Sequence, residues 1–392
     1  MKPLTVDSPR IINIVTGCVF LSVLMLMSMA CNSAESSTPS QAITTPITTR
    51  TLPATATVQP SRTALPSQTP TASATPTVTL TPTATPIPHA MSIPLAREKT
   101  YPGSQITIEQ TLEPGANYNR YIAWYESDGL KIYGLLTVPF GEMPENGWPA
   151  IVFNHGYIAP VAYRTTQRYI SYVDQLARSG YIVYKIDYRG HDRSDGIARG
   201  AYGDPGYTTD TLNAVASLQA FSQADPDRIG MWGHSMGGFI TLRAMVISSQ
   251  IKAGVIWSGV VGSYPDLLCC WHHIPPRDPT RSPDPDYQVR WRDEWQSIYG
   301  TPAENPDFWN QISANSYLQD LSGPLQIHHD SEDSEVPVKY SQDLYQQVLI
   351  SASPYPVEYY EYPGNDHDIA NYFNLAMKRT IEFFDKYLKG SE

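Results

Sequence analysis

From residue 118 onward, short hydrophobic runs alternate with segments whose apolar residues recur at helical spacing. Residues 118–127 and 130–139 alternate apolar and polar side chains around a Ser-Asp-Gly turn, which predicts two antiparallel strands. Ala150–Phe153 is continuously apolar, as in a strand buried on both faces. Residues 165–179 and 209–222 carry apolar residues three and four positions apart, which predicts helices.

The same alternation continues to the end of the chain. Strands are predicted at Tyr181–Tyr188, Arg228–Trp232, Ala253–Ser258, Leu325–His329 and Val357–Tyr362, and helices at 236–248, Val338–Leu349 and Ile369–Leu388. Strands and helices in alternation predict an α/β fold, in which helices cover both faces of a mostly parallel central sheet.

The alternation is interrupted between residues 262 and 318. This stretch is rich in proline and contains four of the eight tryptophans, Trp271, Trp291, Trp295 and Trp309. A long irregular segment inside a compact domain is usually functional, so we predict an aromatic-rich lid over a site. Two hypotheses remain for its aromatic residues: some line a substrate pocket, or all of them pack as a small satellite core.

Residues 1–30 have the character of an export signal, with a basic start and a mostly apolar run from Ile11 to Ala30. The run is about 20 residues long and would also suffice to span a membrane as a helix. Its end resembles a bacterial lipoprotein signal, in which Cys31 is lipidated, although Ser28 stands where leucine is usual. Lipidated Cys31, an uncleaved helical anchor and ordinary secretion are three alternatives. All three predict an extracytoplasmic catalytic domain, and the first two attach it to the membrane.

Residues 31–96 consist mainly of Thr, Pro, Ser and Ala, which predicts a disordered, extended linker. The remaining 97–392 suffice for one large α/β domain. The chain carries a net charge of −11, and an acidic domain repels phosphate backbones, so nucleic acid is not an expected partner.

Ser235 lies in a segment that reads as a buried strand, a tight turn and a helix, with the turn Gly-His-Ser-Met-Gly-Gly. Gly-x-Ser-x-Gly between a strand and a helix is the pattern of a nucleophile elbow, where close packing requires glycines. Such a turn exposes the serine Oγ above the sheet and directs the Met236 N–H toward a developing oxyanion. His234, inside the turn, is expected to pack beside it rather than to perform chemistry.

A serine hydroxyl becomes a strong nucleophile only with a base, and the base needs a carboxylate to orient it. The acidic loop after Leu325–His329 offers Asp333, with Asp330 and Glu332 as alternatives. His367 is the only histidine after Asp333 and is the predicted base.

The second oxyanion donor should come from the loop after the first parallel strand, Asn154-His155-Gly156-Tyr157. There the Tyr157 N–H is the candidate, because Gly156 allows the backbone to approach closely.

These motifs together resemble the α/β-hydrolase superfamily. The resemblance is nearest to the catalytic domain of the prolyl oligopeptidase family and to acetyl-ester and dienelactone-type hydrolases. It covers roughly residues 120–390 and rests on the following segments: Asn154–Tyr157, Asp187–Gly190, Asp227–Gly230, Gly233–Gly238, Asp333 with Val336-Pro337, and His367. The sequence departs from the family pattern at two places: the usual His-Gly before the acid is His329-Asp330 here, and the usual Arg-Gly-x-Gly is Arg189-Gly190-His191-Asp192.

The resemblance implies a serine hydrolase with a Ser235–His367–Asp333 triad and no cofactor. The oligopeptidases carry a large β-propeller, and only about 50 residues lie between the predicted linker and the first parallel strand, so we expect a carboxylesterase. The alternatives are a prolyl oligopeptidase-like peptidase that acts on small peptides and a non-catalytic surface-binding protein. Cys269 and Cys270 are adjacent, so a disulfide between them would be strained, and no metal site is predicted there.

Overall fold

The computed structural model describes residues 89–271 and 290–390. All of them belong to one compact unit, Thr81–Glu392. The predicted signal, the lipidation of Cys31, residues 31–88 of the linker and residues 272–289 of the lid lie outside the described residues and stay predictions. Among the described helices, none is both long and apolar enough to cross a membrane.

A single nine-stranded sheet forms the centre of the fold, with the strand order β1-β2-β3-β5-β4-β6-β7-β8-β9. The first three strands and β5 pair antiparallel, and the strands from β5 to β9 along that order pair in parallel. The strands are β1 Thr107–Leu112, β2 Tyr118–Ser127, β3 Leu130–Pro139, β4 Trp148–Asn154, β5 Ile182–Ile186, β6 Ala224–His234, β7 Ala253–Trp257, β8 Leu325–Asp330 and β9 Val357–Tyr362.

Helices follow the parallel strands, as the alternating pattern predicts. In the described part of the chain the α-helices are α1 Ile93–Glu98, α2 Ile170–Arg178, α3 Gly206–Gln219, α4 Met236–Ile247, α5 Tyr264–Cys270, α6 Arg290–Tyr299, α7 Pro306–Ile312, α8 Val338–Ile350 and α9 Phe373–Phe384. Short 3₁₀ segments occur at Ala314–Asp320 and Ala370–Tyr372, and a π-turn at Asp385–Lys389 ends the last helix.

The sheet separates two hydrophobic clusters, because successive side chains of a strand point to opposite faces. Val152 and Met231 pack with α3 and α4 on one face, whereas Phe153 and Trp232 pack with α2 and α9 on the other. Strands that are buried on both faces lack a polar side, which is why β7 is a continuous hydrophobic run and β5 is one except for Lys185. The predicted α/β architecture with helices on both faces is therefore confirmed.

Two boundaries differ from the sequence-based prediction. Residues 89–96 were assigned to the linker, but Met91 and Ile93 are fully buried in the main hydrophobic cluster, so the folded unit begins earlier than residue 97. Helix α2 starts at Ile170 rather than at 165, because Arg168 and Tyr169 have left-handed backbone angles that no α-helix accommodates.

The predicted insertion consists, in its described residues, of α5, α6, α7 and the 3₁₀ segment after them. Trp291, Trp295 and Trp309 are buried in the main hydrophobic cluster together with Tyr264 and Phe308. These three tryptophans pack, but as part of that large cluster rather than as a separate satellite core. Whether the insertion acts as a lid stays a prediction.

The turn between β6 and α4 is packed tightly against the neighbouring strand β4. A Cβ built on Gly237 would overlap the Asn154 carbonyl oxygen, and one built on Gly233 would overlap the Gly237 carbonyl. The Asn154 amide donates to Thr241 Oγ1 on α4 at 3.0 Å and its Oδ1 accepts from Thr211 Oγ1 on α3 at 3.0 Å. Backbone atoms form this contact, so a larger side chain has no easy way to relieve it.

We expect Gly237→Ala to lower the free energy of unfolding by about 3 kcal/mol or more, because the added methyl group overlaps backbone atoms that cannot rotate away. Gly180→Ala is the matched control. Gly180 has φ +84° and open space around it, so alanine there adds only backbone strain of about 1–2 kcal/mol. Urea unfolding of both variants measures the difference. Equal losses at the two positions would contradict the close packing of α4 against β4.

Candidate active site

Ser235 occupies a strained position between the last residue of β6 and the first of α4. Its φ of 54° and ψ of −119° lie outside the regions that L-residues prefer. The Ser235 N–H donates to the Trp257 carbonyl at 3.0 Å, and the Ser235 carbonyl accepts from the Val260 N–H at 3.1 Å. These bonds fix the turn from the side of β7. Strain of this kind persists where the surroundings over-determine the conformation, and it occurs preferentially at functional sites.

His367 and Asp333 form a short pair above the same edge of the sheet. His367 Nδ1 lies 2.7 Å from Asp333 Oδ2, and the Asp333 side chain is fully buried. Asp333 follows β8 and His367 follows β9, and the parallel register of these strands brings both loops to one edge. Of the three candidate acids, Asp333 is the one within hydrogen-bond distance of His367. Of the alternatives, Asp330 instead accepts from the Asp366 N–H at 3.2 Å, and Glu332 is exposed.

Three further donors hold the Asp333 carboxylate. Its Oδ1 accepts from the backbone N–H groups of Glu335 at 2.8 Å and Val336 at 3.0 Å. His329 Nε2 lies 3.2 Å from Asp333 Oδ2 and 3.0 Å from the Val336 carbonyl oxygen. Because both neighbours are acceptors when Asp333 is ionised, His329 carries its proton on Nε2, and its Nδ1 accepts from the Ser341 hydroxyl at 2.7 Å.

The sequence pattern alone gives His329 no role, although the family pattern has a histidine at this position. The buried His329 imidazole thus orients the Asp333 carboxylate from one side. From the other side, Asp333 Oδ2 contacts His367 Nδ1. Such an arrangement fixes the carboxylate geometry, as second-layer hydrogen bonds do around metal and catalytic groups.

The pKa values of the pair move in the direction that keeps the carboxylate charged. Burial raises the pKa of Asp333, but hydrogen bonds from His329 and His367 outweigh burial and bring it well below its usual range. Burial lowers the pKa of His367, but the hydrogen bond and charge of Asp333 outweigh it, and the net pKa lies above the ordinary 6.5. An ionised Asp333 beside His367 is the state that stabilises an imidazolium.

Gly156 brings the loop after β4 against the serine. A Cβ built on Gly156 would lie 3.2 Å from Ser235 Cβ and 2.6 Å from the Tyr169 hydroxyl oxygen. Tyr157 follows directly and lines the same cleft as Ser235. Met236 is the first residue of α4, where backbone N–H groups have no partner within the helix and the helix dipole is positive. Met236 thus follows Ser235 directly, and Tyr157 lies on the same cleft.

Ser235 and His367 border one cleft with a volume of about 480 Å³, and the buried Asp333 lies behind His367. Its walls carry aromatic and charged side chains. They are Tyr157, Arg168, Tyr169, Tyr172, Tyr202, His234, Ser235, Trp271, Glu335, His367 and Asp368, with Gly156, Ile158 and Val336. Of the four tryptophans predicted to contact substrate, Trp271 lies on this cleft, and its indole N–H donates to the Glu335 carbonyl at 3.1 Å.

The described residues contain no grouping of three His, Cys, Asp or Glu side chains suited to a metal ion. Cys269 and Cys270 form a disulfide between adjacent residues at the end of α5, the bridge that the sequence analysis had described as possible but strained.

Comparison with known proteins finds partial similarity to serine peptidases. The family model described as serine aminopeptidase, S33, matches residues 149–276. The uncharacterized peptidase YuxL of Bacillus subtilis (strain 168) is 24% identical over 255 residues, which make up 64% of this chain and 35% of that protein. Dipeptidyl peptidase 8 of Homo sapiens is 29% identical over 155 residues, 37% of this chain and 17% of that protein. The chain thus matches well under half the length of these curated relatives.

Solved structures give the same result for the fold. An acylaminoacyl peptidase in complex with Z-Gly-Gly-Phe-chloromethyl ketone has a TM-score of 0.54 and 25% identity, over 70% of this chain and 43% of that one. Acetyl xylan esterase from Paenibacillus sp. R4 has a TM-score of 0.52 and 19% identity, over 74% of this chain and 90% of that one. The chain therefore has the α/β-hydrolase fold and is a serine hydrolase. It is similar in sequence to peptidases, and in fold also to an acetyl xylan esterase.

Proposed function

We propose that this serine hydrolase cleaves carboxylic esters through Ser235, His367 and Asp333. The observation that carries the proposal is the 2.7 Å bond between His367 and the buried Asp333, with Ser235 on the same cleft. A histidine fixed in this way has Nδ1–H directed at the carboxylate and Nε2 available as a base.

The reaction is a two-step acyl transfer. His367 Nε2 takes the Ser235 hydroxyl proton while Oγ attacks the substrate carbonyl, and the tetrahedral oxyanion accepts hydrogen bonds from the Tyr157 and Met236 N–H groups. The alcohol leaves with the proton from His367, which produces an acyl-enzyme on Ser235. Water then attacks the acyl-enzyme with His367 as base, and the acid product leaves.

The architecture supports an ester over a peptide. Residues 107–139 add three antiparallel strands to the edge of the sheet and do not form a separate domain that would hold the amino end of a peptide. The aromatic wall of Tyr202 and Trp271 suits a flat or apolar acyl or leaving group.

A peptidase is the second candidate, and a specific observation favours it. Glu335 and Asp368 place two carboxylates on the cleft beside His367, where they would attract an amino group, and several relatives are named peptidases. Esters and amides of the same acyl group separate the two functions.

Ser235→Ala should lower the turnover of susceptible substrates by roughly 10⁴–10⁶, because the nucleophile is lost. We would assay wild type and variant side by side on p-nitrophenyl acetate and butyrate, a feruloyl ester, and Ala and Gly-Pro p-nitroanilides. Serine-dependent cleavage of the esters alone supports the proposal. Serine-dependent release from the anilides favours the peptidase, and near-normal activity in Ser235→Ala would contradict the role of this serine.

Asp333→Asn should lower kcat by about 10⁴, because an amide no longer balances the imidazolium and favours the wrong tautomer of His367. Asp330→Asn is the matched control, since its side chain keeps an acceptor for the Asp366 N–H and is expected to change kcat less than tenfold. Steady-state kinetics on the best ester measure both. Similar losses in the two variants would contradict the assignment of Asp333.

The pH dependence of kcat/KM reports the base in the free enzyme. The pKa of His367 is raised above 6.5, so activity should fall as the pH drops through a midpoint above 6.5, where the imidazole takes up a proton. The Glu335 carboxylate, 4.0 Å from His367 Nε2, contributes to the raised pKa. Glu335→Gln should therefore move the midpoint down by about a few tenths of a pH unit. A midpoint below 6 in the wild type would contradict the pairing.

A further inference from the structure

A row of hydrogen bonds crosses the back of the cleft and passes through His234. The Gly156 N–H donates to the Tyr169 hydroxyl oxygen at 2.9 Å. The same oxygen lies 2.7 Å from His234 Nδ1, and His234 Nε2 lies 3.0 Å from the backbone carbonyl oxygen of His367. One row thus joins the loop after β4, the nucleophile turn and the loop that carries the base.

The donor and acceptor roles along this row follow from its ends. A carbonyl oxygen only accepts, so the His234 proton is on Nε2 and points at His367. His234 Nδ1 is then an acceptor and receives the Tyr169 O–H, which leaves the Tyr169 oxygen free to accept the Gly156 N–H. A single neutral tautomer of His234 satisfies every bond.

The surroundings keep His234 in that neutral state. The side chain is 3% exposed. Burial, and secondarily the nearby charge of His367, lower the pKa of His234 to about 3. Asp368 Oδ1 is the nearest carboxylate oxygen, 3.7 Å from Nε2, and the Asp368 side chain is 64% exposed. His234 therefore stays neutral near neutral pH.

Tyr169 is held in place at a cost in backbone strain. Arg168 and Tyr169 have φ of 57° and 54°, and each non-glycine residue in this region costs about 1–2 kcal/mol. The buried Lys185 ammonium donates to the carbonyls of Gln167 at 2.9 Å and Arg168 at 3.4 Å and so stabilises the strained segment. In this backbone conformation the Tyr169 hydroxyl bonds both Gly156 and His234.

We propose that Tyr169 and His234 are positioning residues that hold the oxyanion loop at Gly156 and the base loop at His367 at a fixed separation across Ser235. The proposal rests on the proposed function of the triad. Neither residue is a catalytic residue, since both act through the backbone of their neighbours. If His234 only filled space, a side chain of similar volume could replace it. The proposed role instead requires an acceptor at the position of His234 Nδ1 and a donor at the position of His234 Nε2.

The test compares His234→Phe, His234→Gln and Tyr169→Phe in the full chain. His234→Phe keeps most of the volume and loses both polar groups. His234→Gln places an amide donor near the position of Nε2, and Tyr169→Phe removes one oxygen atom. Tyr181→Phe is the matched control, because it removes a buried tyrosine hydroxyl that bonds Asp385 at 2.6 Å, away from the cleft.

We expect His234→Phe and Tyr169→Phe to lower kcat on the best ester about 10²-fold while KM changes less than threefold, since a misplacement of about 1 Å has that effect. His234→Gln should recover part of the loss, and Tyr181→Phe should match the wild type. A residue of purely structural importance would lower kcat in proportion to stability, so urea unfolding of each variant is measured in parallel. If His234→Phe does not fold, Tyr169→Phe provides the test.

The second readout is the pKa of His367, followed by NMR through the imidazole Cε1–H in each variant. The titratable groups that face His367 are Asp333, Glu335, Asp368 and His234. The variants leave the three carboxylates in place and change no charge near neutral pH. Loss of the backbone tether should weaken the bond to Asp333 and lower the pKa of His367 toward 6.5.

Unchanged kcat and an unchanged His367 pKa in folded His234→Phe and Tyr169→Phe would overturn the proposal. Full activity in His234→Phe together with loss in His234→Gln would do the same, because volume would then matter and hydrogen bonds would not. Wild-type protein without Ser235-dependent turnover would overturn the proposed function instead. In that case the NMR titration still decides whether the pair positions His367.

Discussion

The left-handed backbone of Ser235 is the constraint on which the rest of the site depends. The turn places Oγ above the carboxyl edge of the sheet, and three contacts fix it there. The Ser235 N–H donates to the Trp257 carbonyl at the end of β7, the Ser235 carbonyl accepts from the Val260 N–H just beyond β7, and α4 packs against the end of β4. The glycines on either side allow that contact, and the polar network of Asn154 secures it from below. Parallel pairing of β6, β7, β8 and β9 then brings the acid and base loops to the same edge.

Electrostatics at this edge are organised around one buried carboxylate. Asp333 accepts hydrogen bonds from two backbone N–H groups and two imidazoles, so its charge is compensated by dipoles that are fixed before substrate arrives. A buried charge without such partners would be neutralised or expelled. The other three donors leave one side of the carboxylate for His367. Asp333 accepts the Nδ1–H of His367 there, and this hydrogen bond selects the tautomer of the base.

The sequence was informative where local pattern and long-range structure agree. Short hydrophobic runs made β4, β7 and the second half of β6 predictable, and the glycines around Ser235 indicated a crowded turn. Strand β8 was predicted from its place in the alternation, although four of its six residues are polar. Strand β1 was missed because five of its six residues are exposed and its sequence, Thr-Ile-Glu-Gln-Thr-Leu, has no buried face to produce a pattern. Asp333 differs from its acidic neighbours because its side chain accepts hydrogen bonds from N–H groups of its own loop. The composition of the loop does not reveal that conformation.

Long-range contacts account for the other differences. Helix α2 starts late because Arg168 and Tyr169 have left-handed backbone angles. Lys185, on strand β5, stabilises this segment by donating to the Gln167 and Arg168 carbonyls. The tryptophans of the insertion could be counted from the sequence, but only packing separates Trp271 on the cleft from the three that are buried. His234 had been expected to pack beside the turn, and its hydrogen bonds to two loops became visible only in three dimensions.

The most direct test of the central claim is covalent labelling of Ser235 by a fluorophosphonate, read out by intact mass and peptide mapping. An activated serine attacks the phosphorus and displaces fluoride, and the adduct persists because the phosphonyl-enzyme resists attack by water. We predict one adduct per chain, on the peptide that contains Ser235, with none in Ser235→Ala and much slower labelling in Asp333→Asn. Labelling of another serine with Ser235 unmodified, or equal labelling of Ser235→Ala, would contradict the account.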